Sequence, residues 1–188
     1  MANQGLHIIQ KTVITSNTAA VTLTGINDTY DVYHVRIVDA QSTTTEPLRA
    51  RITKSGVVVD SDNNYDYGLW ERLTNIASPG FNSFINPTGA ADAGSWRIQH
   101  QNSDTQAGTT VGLNMEMDLF NFRNPDANTQ VAWRCIFNDE SWDGISSTKG
   151  AGGFTPASQS VSDGISFFND SGEFTRGTFI LYGYSNTI

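Results

Sequence analysis

Apolar and polar residues alternate with a period of two along most of this chain, while long runs with apolar residues at i, i+3, i+4 and i+7 are almost absent. That pattern predicts strands rather than helices. In Tyr30–Val38 (YDVYHVRIV), Tyr30, Val32, His34, Arg36 and Val38 fall on one face and Asp31, Tyr33, Val35 and Ile37 on the other. Both faces are partly apolar, as expected inside a sandwich or at a subunit contact. Gly112–Phe122 (GLNMEMDLFNF) sorts more cleanly, with Leu113, Met115, Met117 and Leu119 on a core face and Asn114, Glu116, Asp118 and Phe120 opposite. Further strands are expected over His7–Thr15, Ala20–Leu23, Leu48–Thr53, Gly56–Asp60, Ser95–His100, Gln130–Asn138, Val161–Phe168 and Phe174–Tyr184. Turn-forming Asn-Pro, Pro-Gly, Asp-Gly and Ser-Gly pairs punctuate the intervals. The two longest intervals, Ala77–Gly94 and Ser141–Gln159, are rich in Gly, Ser and Asn and read as loops of the length that usually serves binding or assembly. No composition shift or repeat divides the chain. The expectation is one all-β domain over residues 1–188, an antiparallel β-sandwich of jelly-roll type with about 8–10 strands, residues 1–10 forming an arm that leads into the first strand.

Size and composition narrow the function classes. A chain of 188 residues suits one domain, and at that length folding buries about 70% of the unfolded surface, enough for a core without disulfides or metal. The single cysteine, Cys135, has no internal partner. With 11 Lys+Arg against 19 Asp+Glu the formal net charge is −8, which argues against a nucleic-acid partner, since such binding is driven by neutralising phosphates. Only 16% of residues are charged while 11% are aromatic, a composition that fits an all-β domain with interfaces. The opening Met-Ala-Asn-Gln-Gly-Leu-His lacks the basic and apolar regions of a secretory signal, and no apolar run is long enough for a spanning helix. The chain is therefore expected to be made in the cytoplasm with no membrane partner.

Candidate chemistry is sparse. There is no G-x-S-x-G elbow, and Cys135 sits within the apolar stretch VAWRCIF, where a thiol is usually a small core residue. His7, His34 and His100 have no metal-ligand spacing. Asp60, Asp62, Asn64, Asp66 and Glu71 occupy the first, third, fifth, seventh and twelfth positions of an EF-hand-like calcium loop. The sixth position, which needs glycine, is Tyr65, and the flanks read as strand and loop rather than paired helices, so a self-capping Asx turn is preferred to a bound cation. Asp139, Glu140 and Asp143 resemble a glycosidase pair only in residue type, because carboxylates so close on one turn seldom flank a sugar from opposite sides. KGAGGF at Lys149–Phe154 lacks the order of a phosphate-binding loop, and the sequons at Asn27 and Asn169 matter only in a glycosylating pathway. No cofactor is expected. Of the four tryptophans, Trp133 is expected in the core, Trp96 lies in an expected strand, and Trp70 and Trp142, with Tyr65 and Tyr67, are the expected interface or sugar-stacking residues.

The stretches LHIIQKTVITSNTAAVTLTGI, DTYDVYHVRIVDA, LRARITKSGVVVDSDNNYDYGL, MEMDLFNFRNPDANTQVAWRCIF and FTRGTFILYGY span most of the chain, which through them resembles a group of jelly-roll-like virion proteins of tailed bacteriophages, of the marine and cyanophage type. The opening LHIIQKTVITSNTAAVTLTGI and DTYDVYHVRIVDA resembles that group's first strands and central strand, and LRARITKSGVVVDSDNNYDYGL resembles its strand and Asn-Tyr segment, here Asn64-Tyr65. MEMDLFNFRNPDANTQVAWRCIF is similar to its strand, Asn/Pro turn and return strand. The most distinctive piece is the closing FTRGTFILYGY, with Gly177, Leu181, Tyr182 and Gly183 in matching places. The resemblance implies a structural role as capsid decoration, fibre or tail accessory subunit, and brings no catalytic residues. Strand pattern begins near Met1, with no long stalk, which favours a subunit seated on the particle's outer surface. The expectation is thus a non-enzymatic decoration or cement subunit, homo-oligomeric (a trimer being one arrangement) and bound to other virion proteins, chiefly the major capsid protein. A fibre or tail-tip module that binds host-surface glycan is the alternative, and a polysaccharide hydrolase using Asp139, Glu140 or Asp143 a more distant one.

Overall fold

Strand-to-strand ladders take up the backbone hydrogen bonds throughout the computed structural model, which describes residues 5–44, 46–60, 64–75, 84–99, 112–139, 144–155 and 161–185. Among these residues there are thirteen strands and no helix: β1 (Gly5–Ile14), β2 (Ala20–Thr24), β3 (Val32–Ser42), β4 (Leu48–Lys54), β5 (Val57–Val58), β6 (Tyr65–Asn75), β7 (Phe84–Ala93), β8 (Trp96–Arg97), β9 (Leu113–Phe120), β10 (Thr129–Asp139), β11 (Gly144–Phe154), β12 (Gly164–Asn169) and β13 (Phe174–Ser185). All pairings between them are antiparallel.

An eight-stranded sheet in the order β1-β13-β3-β9-β10-β11-β6-β7 is joined by a five-stranded one, in which β2-β12-β4 run in order and β5 and β8 share the far edge of β4. Within this plan β1-β13-β3-β9 and β2-β12-β4-β8 are the two layers of a jelly roll, the chain passing repeatedly from one layer to the other. Two hairpins elaborate it. The β6–β7 pair is inserted before β8 and the β10–β11 pair before β12, and together they extend the larger sheet beyond β9.

Alternation places the core where the sequence pattern puts it. Leu113, Met115, Met117 and Leu119 of β9 are buried, as are Tyr33, Val35 and Ile37 of β3, while Asn114 and Asp118 face solvent. One continuous cluster links both layers, joining Phe167 and Ile165 of β12 to Phe179 and Leu181 of β13 and to Trp133 of β10. The β3–β9 junction is fixed by Asp39, whose backbone takes a left-handed φ of 53°. Its carboxylate accepts from Gly112 N at 3.0 Å and from Arg176 Nη2 at 2.9 Å.

Three expectations need correction. Residues 5–10, expected as an arm, already belong to β1, which is paired with β13 from Gly5 onward. Ala77–Gly94 and Ser141–Gln159, expected as contact loops, contain β7 and β11, so the strand total exceeds the count read from alternation. The glycines of β11 disguise it. A Cβ built on Gly150 would lie 2.3 Å from Trp133 Cζ2, and one on Gly152 would lie 2.7 Å from Trp96 Cδ1. Two tryptophan rings occupy the space that side chains would otherwise fill, so these glycines mark close packing in a central strand rather than a loop. In β7, Pro87 cannot donate to a ladder, which is tolerated because β7 is the sheet's edge.

Candidate functional site

The outer face of the larger sheet, turned away from the smaller one, divides into three zones. At one end, Leu6, Ile8 and Val13 of β1 and Tyr184 of β13 stand exposed. In the middle, strand register aligns Arg36, Glu116, Arg134, Lys149 and Trp70 in one row across β3, β9, β10, β11 and β6. Arg134 Nε donates to Glu116 Oε2 at 2.8 Å, and this guanidinium holds the Glu116 carboxyl below its ordinary value against a smaller opposing effect of burial. In the next row His34 Nδ1 lies 2.8 Å from Asp118 Oδ1. At the far end the side chains shrink to Ala132, Ala151, Gly68 and Gly89, leaving a shallow trough of about 780 Å³ bordered by Asp66 and Gln130. Beside it Trp70 is 56% exposed, with Lys149 and Pro87 as cross-strand neighbours. Chemically the trough is mostly apolar, lined by Phe120, alanines and glycines, with Asp66 and Gln130 as polar groups at its border.

The structure separates the residues singled out as possible sites. Tyr65 is a core residue and not a surface anchor: its ring lies edge-on to Trp96 with centroids 5.1 Å apart. Its hydroxyl donates to Val59 O at 2.9 Å and accepts from Ile52 N at 3.1 Å. Tyr67 is half-buried and packs against the core. Trp70 stands exposed, and Trp142 lies outside the described residues. Trp96 and Trp133 are buried, their Nε1 groups donating to Gly153 O at 2.9 Å and Ile98 O at 3.0 Å.

The EF-hand-like spacing does not produce a site among its described members. Asp66 and Glu71 lie five positions apart on β6, an odd separation that sends them to opposite faces of the sheet, Asp66 to solvent and Glu71 to the interior. Asp60 is exposed beyond β5 and Asn64 is half-buried before β6, while Asp62 lies outside the described residues. Among the described residues no group of three or more His, Cys, Asp or Glu is placed to hold a metal ion. Asp139 ends β10, and Glu140 and Asp143 lie outside the described residues.

Cys135 faces the interior in register with Met115 on one side and Thr148 on the other, and Thr148 in turn with Glu71. Burial pushes its thiol up to about 12. A protonated, enclosed sulfur is a packing group and not a nucleophile. What sequence reasoning missed is the trough and the exposed apolar zone on β1. The trough is built from glycines and alanines that carry no alternation signal, and the apolar zone has the sequence pattern of any half-buried strand. Compared with known proteins, the chain matches no family model and no curated protein.

Proposed function

We propose that this chain is a non-enzymatic structural subunit of a phage particle, a decoration or cement protein that binds through the outer face of its larger sheet. The observation that carries this reading is the zoned face itself: an exposed apolar end, a central row of charged residues that includes the Arg134–Glu116 pair, and a shallow trough lie on one continuous eight-stranded surface. A surface that joins apolar area to fixed charge pairs favours protein contacts of defined register. The jelly-roll order adds an analogy at the level of fold alone, and the phage assignment rests on the sequence resemblance. The test is reconstitution. Purified protein added to shells that lack it should bind at a fixed copy number in the hundreds and raise their resistance to heat. A protein that binds no shell, or is recovered in only a few copies per particle, does not serve as a shell subunit.

A second reading is favoured by Trp70. An exposed indole bordering a trough with Asp66 and Gln130 fits a sugar ring stacked on the aromatic and hydrogen-bonded at its edge. This reading expects glycan-array binding that Trp70→Ala abolishes without altering thermal stability. Equal binding by the variant removes it.

A further inference from the structure

The two edges of the larger sheet are unlike. β7 carries Pro87, which breaks any ladder offered on that side, whereas β1 is ten residues long, contains no proline and, among the described residues, pairs with β13 on one edge only. A long edge is a template for another strand unless proline, lysine or a bulge blunts it; β1 has no proline, and its Lys11 and its register shift between Ile8 and Gln10 are features a partner strand must match. β1 also exposes Leu6 (50%), Ile8 (63%) and Val13 (53%), with Tyr184 (46%) opposite Leu6 on β13.

We infer that β1 pairs antiparallel with β1 of a second copy about a two-fold axis, joining the two larger sheets edge to edge. An isologous contact demands a self-complementary surface, and β1 supplies one. Because β1 shifts register between Ile8 and Gln10, its outward residues are Leu6, Ile8, Lys11 and Val13 rather than an unbroken alternation. That set is symmetric about the midpoint between Ile9 and Gln10. Laid antiparallel on a second copy about that point, Leu6 meets Val13, Ile8 meets Lys11 and inward His7 meets Thr12. Each outward residue finds an outward partner, and apolar pairs close both ends. Lys11 covers Ile8 with its aliphatic stem while its ammonium stays in water, and the two Lys11 charges are kept apart. An unbroken alternation would allow such a match only about a residue centre, where one side chain must face itself.

This contact would supply the homo-oligomeric state expected from the sequence, and its test is separable from that of shell binding. Wild-type protein should sediment as a dimer at micromolar concentration, and Ile8→Glu, at an exposed site, should raise the dissociation constant at least tenfold with unchanged circular dichroism. The doubly substituted Leu6→Cys/Val13→Cys protein should form a disulfide-linked dimer on oxidation. Either single variant should not, because equivalent Leu6 positions would lie about 20 Å apart along the paired strands, far beyond disulfide reach. A wild type that stays monomeric at hundreds of micromolar, or a double variant that associates but does not cross-link, overturns the edge contact. If that protein still decorates shells, the virion reading stands without it. A cross-linked dimer that binds no shell overturns the virion reading alone.

Discussion

Gly150→Ala tests whether the glycine-rich β11 is a packed central strand. In the interior of a strand, replacing glycine by alanine ordinarily gains about 0.5–1 kcal/mol, since glycine gives up more backbone freedom on folding. At Gly150 the added methyl would sit 2.3 Å from Trp133 Cζ2, 2.5 Å from its Cε2 and 2.9 Å from Gly68 O. Carbon atoms pack best at about 3.5–4 Å, so the indole must retreat by about 1 Å inside a buried cluster while its Nε1 is tied to Ile98 O. Overpacking of this kind costs about 1–3 kcal/mol, and weakening the indole hydrogen bond adds about 1 kcal/mol. Net destabilisation should reach about 2–3 kcal/mol, seen as a fall in Tm of about 8 °C for a chain of this size. Gly68→Ala is the matched control: it lies on the neighbouring strand, but its added methyl would meet nothing within 4 Å, so it should be neutral or stabilising by up to about 1 kcal/mol. Urea unfolding followed by tryptophan fluorescence, with near-ultraviolet circular dichroism as a second probe, measures both. Combining Gly150→Ala with Trp133→Leu should show a favourable coupling, because the clash disappears with the ring. Equal effects of the two glycine substitutions, within about 0.5 kcal/mol, would refute the packing argument.

Other residues give sharper or smaller signals. Cys135, with its thiol pushed up to about 12 by burial, should be inert to a thiol reagent at pH 8 and react stoichiometrically once the protein is unfolded in guanidinium. Tyr65→Phe removes the hydroxyl shared by Val59 O and Ile52 N and should cost about 1–3 kcal/mol in urea unfolding, because a buried and a half-buried backbone group lose their partner. Glu116, held below its ordinary value of 4.5 by Arg134, contributes stability above that pH which is lost as acid carries the folded carboxyl through its lowered value. Glu116→Gln should therefore flatten the acid limb of the stability profile. The effect should be small and salt-sensitive, because the pair is solvent-exposed.

Legibility in the sequence followed the strength of alternation. β3 and β9 announced themselves because β-branched, aromatic and long aliphatic residues sit at every second position and the intervening positions include charges. β11 did not, because its strand character comes from neighbours: Trp133 and Trp96 supply the side-chain volume that its glycines lack. β7 was hidden in the same way by Pro87, Gly89 and its alanines, residues that strands tolerate at a sheet edge. The Asp60–Glu71 spacing misled in the other direction. It has the oxygen-bearing residues of a calcium loop, yet an extended backbone sends Asp66 and Glu71 to opposite faces, whereas a calcium loop must curl its ligands inward. Spacing carries chemical meaning only once the local backbone is known.

Surface function was less legible than the core for a related reason. A strand with apolar residues on both faces reads identically whether its second face is covered within one chain or by another. Topology breaks that tie. In β3, flanked by β13 and β9, outward apolar residues such as Val32 and Val38 are shielded by neighbours on both sides and stay half-buried. In β1 the same kind of residue has a neighbour on one side only, and Leu6, Ile8 and Val13 each remain half or more exposed. Exposure alone does not single out β1, since Ile136 on β10 (57%) and Ile145 on β11 (46%) are exposed on inner strands too; β1 is set apart by joining such residues to an edge that no proline blocks. β7 is the reciprocal case, since Pro87 makes it the edge expected to stay unpaired. Ala91→Glu, an exposed change on β7 that leaves Pro87 in place, should accordingly leave the monomer–dimer equilibrium unchanged in sedimentation, while Ile8→Glu shifts it.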